Sequence, residues 1–291
     1  MPITRVVSFS EIDCFRQCPF KHELAYKQRW SKTPSPGTPL SRGTLFHAVM
    51  ENHYGYLKAR RQKDLAELER CSRNITSLLE GPGDADEQEL VAWMYVGYVE
   101  RFGNDDNWEI IAVEYANEFW LPTERGGRSN FKMKVKIDLI VRDRRTGSLW
   151  IVDHKSCKNL PTDRMLELDD QFGLYTWGVQ QLGMKVMGAI HNACRTQRNK
   201  GPMEMSERFL RTMLYRTDEE LQTIAVEAYR TARRAYAIKP GEAERAPNSD
   251  SCRWKCDFTE SCLGARKDRD PQGYLQHSLT LGGFSINKER H

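Results

Sequence analysis

The chain has no apolar run long enough to cross a bilayer, no Gly-x-x-x-x-Gly-Lys-Ser/Thr phosphate loop, no internal repeat and no long low-complexity tract. The first absence argues against a membrane span, since the hydrocarbon core needs about 20 consecutive apolar residues. The second means that the chain is not expected to be an ATP-driven motor itself. The start, Met1-Pro2-Ile3-Thr4-Arg5-Val6-Val7, lacks the apolar core of a secretory signal, so an intracellular, cytoplasmic location is the expectation. Strong charge of one sign is missing too. Lys and Arg number 44 against 40 Asp and Glu, a net +4, which is compatible with a polyanionic partner without requiring one. What remains is a 291-residue chain, 39% hydrophobic and 29% charged, sized for one large domain or a core with a smaller lobe. Its eight cysteines, in an intracellular setting, point to metal ligation for some of them rather than to a disulfide framework.

The most informative stretch is Ile137-Asp138-Leu139-Ile140-Val141, a polar gap, and Trp150-Ile151-Val152-Asp153-His154-Lys155. As strands, these segments alternate faces, so Asp153 and Lys155 point the same way. Asp138 shares a face with Lys132, Lys134 and Lys136, while Phe131, Met133, Val135, Ile137 and Leu139 line the other. Asp143-Arg144-Arg145-Thr146-Gly147 supplies turn chemistry between them, which predicts a hairpin. Such a hairpin brings two carboxylates and an ammonium to one strand end. Paired carboxylates suit a hard divalent cation, and a neighbouring lysine can orient water and offset charge on a phosphate. The arrangement predicts a metal-dependent phosphodiesterase.

The cysteines divide into groups. Cys252, Cys256 and Cys262 crowd into a loop-rich C-terminal segment with little core of its own, where a bound metal is the direct way to impose order. Three thiolates need a fourth ligand, and Cys14 and Cys18 lie near the N-terminus. Ser8-x-x-Glu11 reads as a capping box opening a helix that carries Cys14. Pro19 disfavours helical geometry at Cys18 and suits the first turn of a second helix. Cys18 therefore sits at a break and is the favoured ligand, whereas Cys14 belongs to a buried stripe with Ile12 or Phe15. Cys71, Cys157 and Cys194, in segments read as helix, loop and strand, are expected to pack as small hydrophobes.

The pattern Asp138…Asp153-x-Lys155 resembles the PD-(D/E)xK nuclease superfamily, with Asp153-His154-Lys155 in the place of its (D/E)-x-K. Cys18-Pro19 followed much later by Cys252, Cys256 and Cys262, with Phe258 between the last two, is similar to the iron–sulfur members of the RecB-like nucleases, including the AddB nuclease domain and the CRISPR-associated RecB-like exonucleases. The chain departs from that pattern in having three residues, Arg253, Trp254 and Lys255, between the first pair of the trio, where two are usual. The resemblance implies a [4Fe–4S] cluster on Cys18, Cys252, Cys256 and Cys262; four thiolates also suit zinc, which stays open as the metal. Ser41-Arg42-Gly43-Thr44-Leu45-Phe46-His47 resembles the helix bearing the family's metal-binding histidine, with Glu51 and Tyr54 on the same face as His47 and His53 well round from it. Gln171 and Tyr175, four apart on a helix, match the Gln-x-x-x-Tyr pair that in the family helps hold the nucleic-acid strand. Glu114, with Glu118 competing, stands where some members place a further acid near the metal.

The resemblance thus implies an α/β fold: a restriction-endonuclease-like core with a central mixed sheet flanked by helices over residues 36–239, an iron–sulfur lobe made from 1–35 and 240–270, and a tail over 271–291. It implies Mg²⁺ or Mn²⁺ bound by Asp138, Asp153 and His47, catalysis by Lys155, and DNA as substrate, with an exonuclease on single strands in recombination, repair or processing favoured and a helicase or recombination partner compatible. Two other classes remain open: a non-catalytic nucleic-acid-binding or adaptor protein, and a zinc-stabilised RNA nuclease. Further expectations are helices over 84–102 and 218–237, the latter capped by Thr217, strands over 184–194 and 208–216, a linker over 31–39, and a flexible end from about Gln272.

Overall fold

The computed structural model describes residues 3–32, 39–199, 201–266 and 284–286. The chain divides into two compact units. One comprises Met1–Thr33, Glu118–Lys134 and Ala225–His291, the other Pro34–Asn117 and Val135–Ile224.

The second unit holds a mixed sheet. Strand β4 (Arg128–Asp143) runs antiparallel to β5 (Leu149–Cys157), from Arg142 opposite Leu149 to Leu139 opposite Val152. The turn is the expected one. Asp143 accepts from the Arg145 and Thr146 amides, and Gly147 takes a φ of +74°, which a side chain would oppose. Strand β5 then pairs in parallel with β6 (Val186–Arg195), which pairs antiparallel with β7 (Phe209–Leu214), while β3 (Trp108–Pro122) pairs with β4. Parallel β5 and β6 require a crossover, supplied by α7 (Asp170–Gln181), which begins with Asp169 accepting from the Gln171 amide.

Helices α3 (Pro39–Gln62), α4 (Leu65–Glu80) and α5 (Ala85–Phe102) surround a core of Phe46, Val49, Met50, Tyr54, Val91, Met94 and Tyr98. This core packs on Leu139, Val141, Val152 and Ile190 of the sheet, which face the helices by strand alternation. The fold class read from the sequence therefore holds: a central mixed sheet flanked by helices. The predicted face of β4 also holds, since Phe131, Met133, Val135, Ile137 and Leu139 are all buried. No helix among the described residues is long and apolar enough to cross a membrane.

In the first unit, β1 (Arg5–Ser8) pairs in parallel with Phe131–Lys134. Ser8 caps α1 (Phe9–Gln17), accepting from the Glu11 amide at 3.2 Å. The Glu11 carboxylate turns inward rather than completing the capping box; it meets His22 Nε2 at 3.1 Å and Tyr236 Oη at 2.9 Å. Cys18 is extended and ends α1, and Pro19 starts α2 (Pro19–His22), as the proline requires. A π-helical turn, Glu23–Lys27, follows, which no local signal announces. Cys14 packs with Leu24, Ala25 and Phe258.

Several boundaries differ from expectation. The segment read as a strand from Arg208 begins with a helical turn, Met205–Arg208, and becomes strand at Phe209. Cys157, read as loop, is the last residue of β5 because its backbone stays paired with Arg195. Of the linker, Ser31 and Lys32 belong to β2 (Trp30–Lys32), and residues 33–38 lie outside the described residues. Of the end expected to be flexible, Phe284–Ile286 form β8, antiparallel to β2, and the rest lies outside the described residues. Helix α9 (Asp218–Ala237) matches its expected span, with Thr217 and Glu220 bonding reciprocally at 3.2 and 2.7 Å.

Candidate active site

Four of the residues singled out in the sequence meet at the inner end of the β4–β5 hairpin. The ladder reaches Leu139 opposite Val152, so the next positions, Asp138 and Asp153, face one another. Lys155 Nζ lies 2.6 Å from Asp153 Oδ2, and His47 Nδ1 lies 3.2 Å from Asp138 Oδ2. The His154 amide also donates to Asp138 Oδ2, at 2.7 Å. His47 arrives from α3, whose neighbouring residues Phe46, Val49 and Met50 are fully buried; their anchoring fixes which way its half-exposed imidazole points.

A cavity of about 490 Å³ opens beside these groups, lined by His47, Glu51, Glu114, Lys136 and Asp138 together with Gly43 and Thr44. Glu114 takes a φ of +51°, rare for a residue with a side chain, and its carboxylate pairs with Lys136. Glu118 instead pairs with Lys132 at 3.1 Å, so of the two competing acids it is Glu114 that lines the cavity. Tyr54, placed on the His47 face by spacing, is buried and bonded to Tyr98 and Asp105, away from the cavity lining. His53 is buried against Tyr95. On α7, Gln171 and Tyr175 hydrogen-bond each other, and Tyr175 is near enough to feel the charges of Asp153 and Lys155.

The electrostatics separate the two carboxylates. Burial pushes Asp153 up to about 6, aided by the Asp138 charge and opposed by Lys155. Burial also raises Asp138, but His47 and the His154 amide outweigh it and hold the group at about 2. His47 is raised, because the hydrogen bond and charge of Asp138 exceed the effect of burial, and Lys155 is raised because Asp153 does the same. A buried carboxylate pair with one member held in reserve by a lysine is a donor set that suits a hard cation. Asp153 Oδ2 is buried with no hydrogen bond of good geometry, leaving only the lysine charge against it. Among the described residues, however, no three His, Cys, Asp or Glu side chains converge closely enough to enclose a metal ion.

In the other unit, Cys18, Cys252, Cys256 and Cys262 all line a cavity of about 280 Å³, together with Phe20 and Phe258, and Cys14 does not. The Ala246 amide donates to Cys18 Sγ at 3.4 Å and the Asn248 amide to Cys252 Sγ at 3.3 Å. Helix α10 (Ser249–Lys255) is capped by Asn248, and α11 is Thr259–Arg266. The extra residue between Cys252 and Cys256 is absorbed in α10 and its extended end at Cys256.

The sequence reading passed over the polar groups on the opposite side of β5. His154, the variable residue of Asp153-His154-Lys155, is buried beneath the site with Asn192, Tyr98 and Arg211, and burial drives it down to about 3.

A hairpin presenting two acids and a lysine at its end, on a mixed sheet backed by helices, defines a class of metal-assisted phosphodiesterase folds. The chain belongs to the PD-(D/E)XK nuclease superfamily, whose model matches residues 6–263. Its members usually use Mg²⁺ or Mn²⁺. No curated protein matches the sequence. Among solved structures it is similar to a protein from Eubacterium rectale assigned as a candidate exonuclease, at 17% identity and a TM-score of 0.49, covering 86% of this chain and 88% of that one. It is also similar to SSO0001, at 13% identity and a TM-score of 0.40, covering 89% and 86%.

Proposed function

We propose that the protein is a DNA nuclease, acting by preference as an exonuclease on single strands in recombination, repair or processing. The observation that supports this most is the meeting of Asp138, Asp153, Lys155 and His47 at one strand end. Asp138, Asp153 and His47 would hold Mg²⁺ or Mn²⁺, with the His154 carbonyl completing the set and Glu114 as a further acid. When bound, the ion would supply Lewis-acid polarisation of the phosphate and a more acidic water. Lys155 keeps its proton, since Asp153 raises it, and so can stabilise negative charge growing on the phosphate and position the attacking water. Gln171 and Tyr175, tied to each other on α7, would hold the strand.

Cys18, Cys252, Cys256 and Cys262 would carry a [4Fe–4S] cluster with a structural role. Their thiols line one cavity, which supports their ligating one shared group. Backbone N–H groups aimed at Cys18 and Cys252 are the kind of support that stabilises cluster sulfurs. The test of function is degradation of 5′- and 3′-labelled single-stranded and duplex DNA with Mg²⁺ or Mn²⁺. Release of mononucleotides or short products from single-stranded ends supports the reading. Internal cuts alone would replace exonuclease with endonuclease, and RNA cleaved in preference to DNA would overturn the substrate.

A further inference from the structure

We propose that His154, Asn192 and Arg211 form a row of positioning residues that fixes the location of the Asp138 carboxylate from the far side of the sheet. The inference rests on the nuclease reading of the site and adds to it the side chains of His154, Asn192 and Arg211, which lie on the face of the sheet opposite Asp153 and Lys155.

The row follows from strand register. His154 on β5 is paired with Asn192 on β6, and Asn192 with Arg211 on β7. Because side chains alternate, these three share the face opposite Asp153 and Lys155. His154 Nδ1 lies 2.6 Å from Asn192 Nδ2, and Arg211 Nε lies 3.3 Å from Asn192 Oδ1.

Arginine only donates, which orients the groups around it. Arg211 gives protons to Asn192 Oδ1, to Tyr98 Oη at 2.7 Å, to both oxygens of Asp105 at 2.7 and 2.9 Å, and more weakly to Tyr54 Oη at 3.3 Å. The Asn192 amide is therefore oriented with its nitrogen toward His154 and toward Tyr98, at 2.7 Å. Tyr98 Oη, already accepting from Arg211 and Asn192, donates to Tyr54 Oη at 2.6 Å, and Tyr54 donates to Asp105 at 2.7 Å. His154 Nδ1 must accept, so its imidazole is neutral with the hydrogen on Nε2. The Tyr54 ring stacks on it with centroids 5.3 Å apart and planes 15° apart.

The consequence reaches the site through one peptide. His154 is fixed by its side chain on one face, and its backbone N–H is the donor that holds Asp138 Oδ2 at 2.7 Å on the other. The buried polar network holds His154 through Nδ1, with Nε2 left unpartnered, whereas an apolar side chain in place of Asn192 would remove that anchor and let the strand end shift. Outer groups that orient metal ligands typically contribute about 10- to 100-fold to metal affinity.

The experiment is Mn²⁺ binding by isothermal titration calorimetry on the full-length protein, with DNA cleavage followed in parallel. Asn192→Leu should weaken Mn²⁺ binding about tenfold or more. Tyr98→Phe, which keeps shape and removes the hydroxyl that accepts from Asn192 and Arg211 and donates to Tyr54, should weaken it less but measurably, and it decides the matter if Asn192→Leu does not fold. Val91→Ala, which opens the same core without removing a hydrogen bond, should lower Tm and leave the affinity unchanged. Unchanged affinity in folded Asn192→Leu, or in Tyr98→Phe where the leucine variant fails, would overturn the proposal. So would an equal loss in Val91→Ala. Wild-type protein that binds Mn²⁺ yet cleaves no nucleic acid would refute the nuclease reading alone, and wild-type protein that binds no Mn²⁺ would overturn both.

Discussion

His47 Nδ1 lies 3.2 Å from Asp138 Oδ2, so a helix residue and a strand residue share one carboxylate oxygen at the mouth of the site. Asp138 raises the His47 pKa, and a protonated imidazole cannot ligate a metal. Metal uptake must therefore displace a proton from His47. Mn²⁺ affinity should rise as pH is raised through and above the ordinary histidine value of about 6.5, and His47→Ala should flatten that dependence while weakening binding. Titration calorimetry in two buffers of different ionisation enthalpy would report the released proton. The same pH dependence in His47→Ala would assign the proton elsewhere.

Acid should destabilise the fold through three buried histidines. Burial lowers His53 to about 4, His154 to about 3 and His191 to about 4. In the unfolded chain each takes up a proton near pH ~6.5, so the stability they contribute is present above that value and is lost as pH falls toward their folded values. Asp153, raised to about 6, acts with the opposite sign between about 4 and 6, and the raised His47 and Glu114 act in the same sense, so the fall is set by the larger shifts of the three lowered histidines. Asp138, held at about 2, adds a further loss below about pH 4. Thermal melts should show Tm falling from pH 7 to pH 4, and His53→Leu should make the fall shallower. A slope that His53→Leu leaves unchanged would contradict this assignment.

The cysteines separate cleanly. Anaerobically purified protein should be brown, and Cys18→Ala or Cys256→Ala should bleach the colour and reduce solubility, because ligation energy becomes folding energy. Cys14→Ala and Cys71→Ala should keep the colour, since Cys14 packs on Leu24, Ala25 and Phe258 without lining the cysteine cavity and Cys71 lies buried in α4. Visible absorption with iron and zinc analysis checks this. Colourless protein with one tightly bound zinc would replace the cluster with a zinc site, and loss of colour in Cys14→Ala but not Cys18→Ala would reverse the ligand assignment.

Gly188 lies where β6 meets β7, and a Cβ there would stand 2.2 Å from the Leu214 carbonyl oxygen. Backbone gives way less readily than a flexible side chain. Gly188→Ala should cost about 1–3 kcal/mol, measured by denaturant unfolding. A wild-type midpoint would mean that β7 moves freely there.

The hairpin that carries Asp138, Asp153 and Lys155 was readable because its signals are local: period-two alternation, turn residues in the gap, and acids at the strand end. The break at Cys18 was readable for the same reason, through Pro19. The row His154–Asn192–Arg211 was not. Each residue sits in an ordinary strand, and only the parallel pairing of β5 with β6, which no local pattern dictates, brings them side by side. Glu11 shows the same limit in miniature. Its spacing from Ser8 suggests a reciprocal cap, but His22 and Tyr236 offer its carboxylate buried partners, and tertiary bonding prevails. The strand Phe284–Ile286 went unseen because edge pairing makes few demands on side chains.

The central claim is that Asp153 and Lys155 act together in metal-dependent cleavage, and the direct measurement is single-turnover degradation of end-labelled single-stranded DNA by wild-type and Lys155→Ala protein. With Mg²⁺ or Mn²⁺, wild type should cleave, EDTA should stop it, and readded metal should restore it. Lys155→Ala should remain folded by circular dichroism and lose ~10²-fold or more in rate. Wild-type rates from Lys155→Ala, or full activity in excess chelator, would contradict the account.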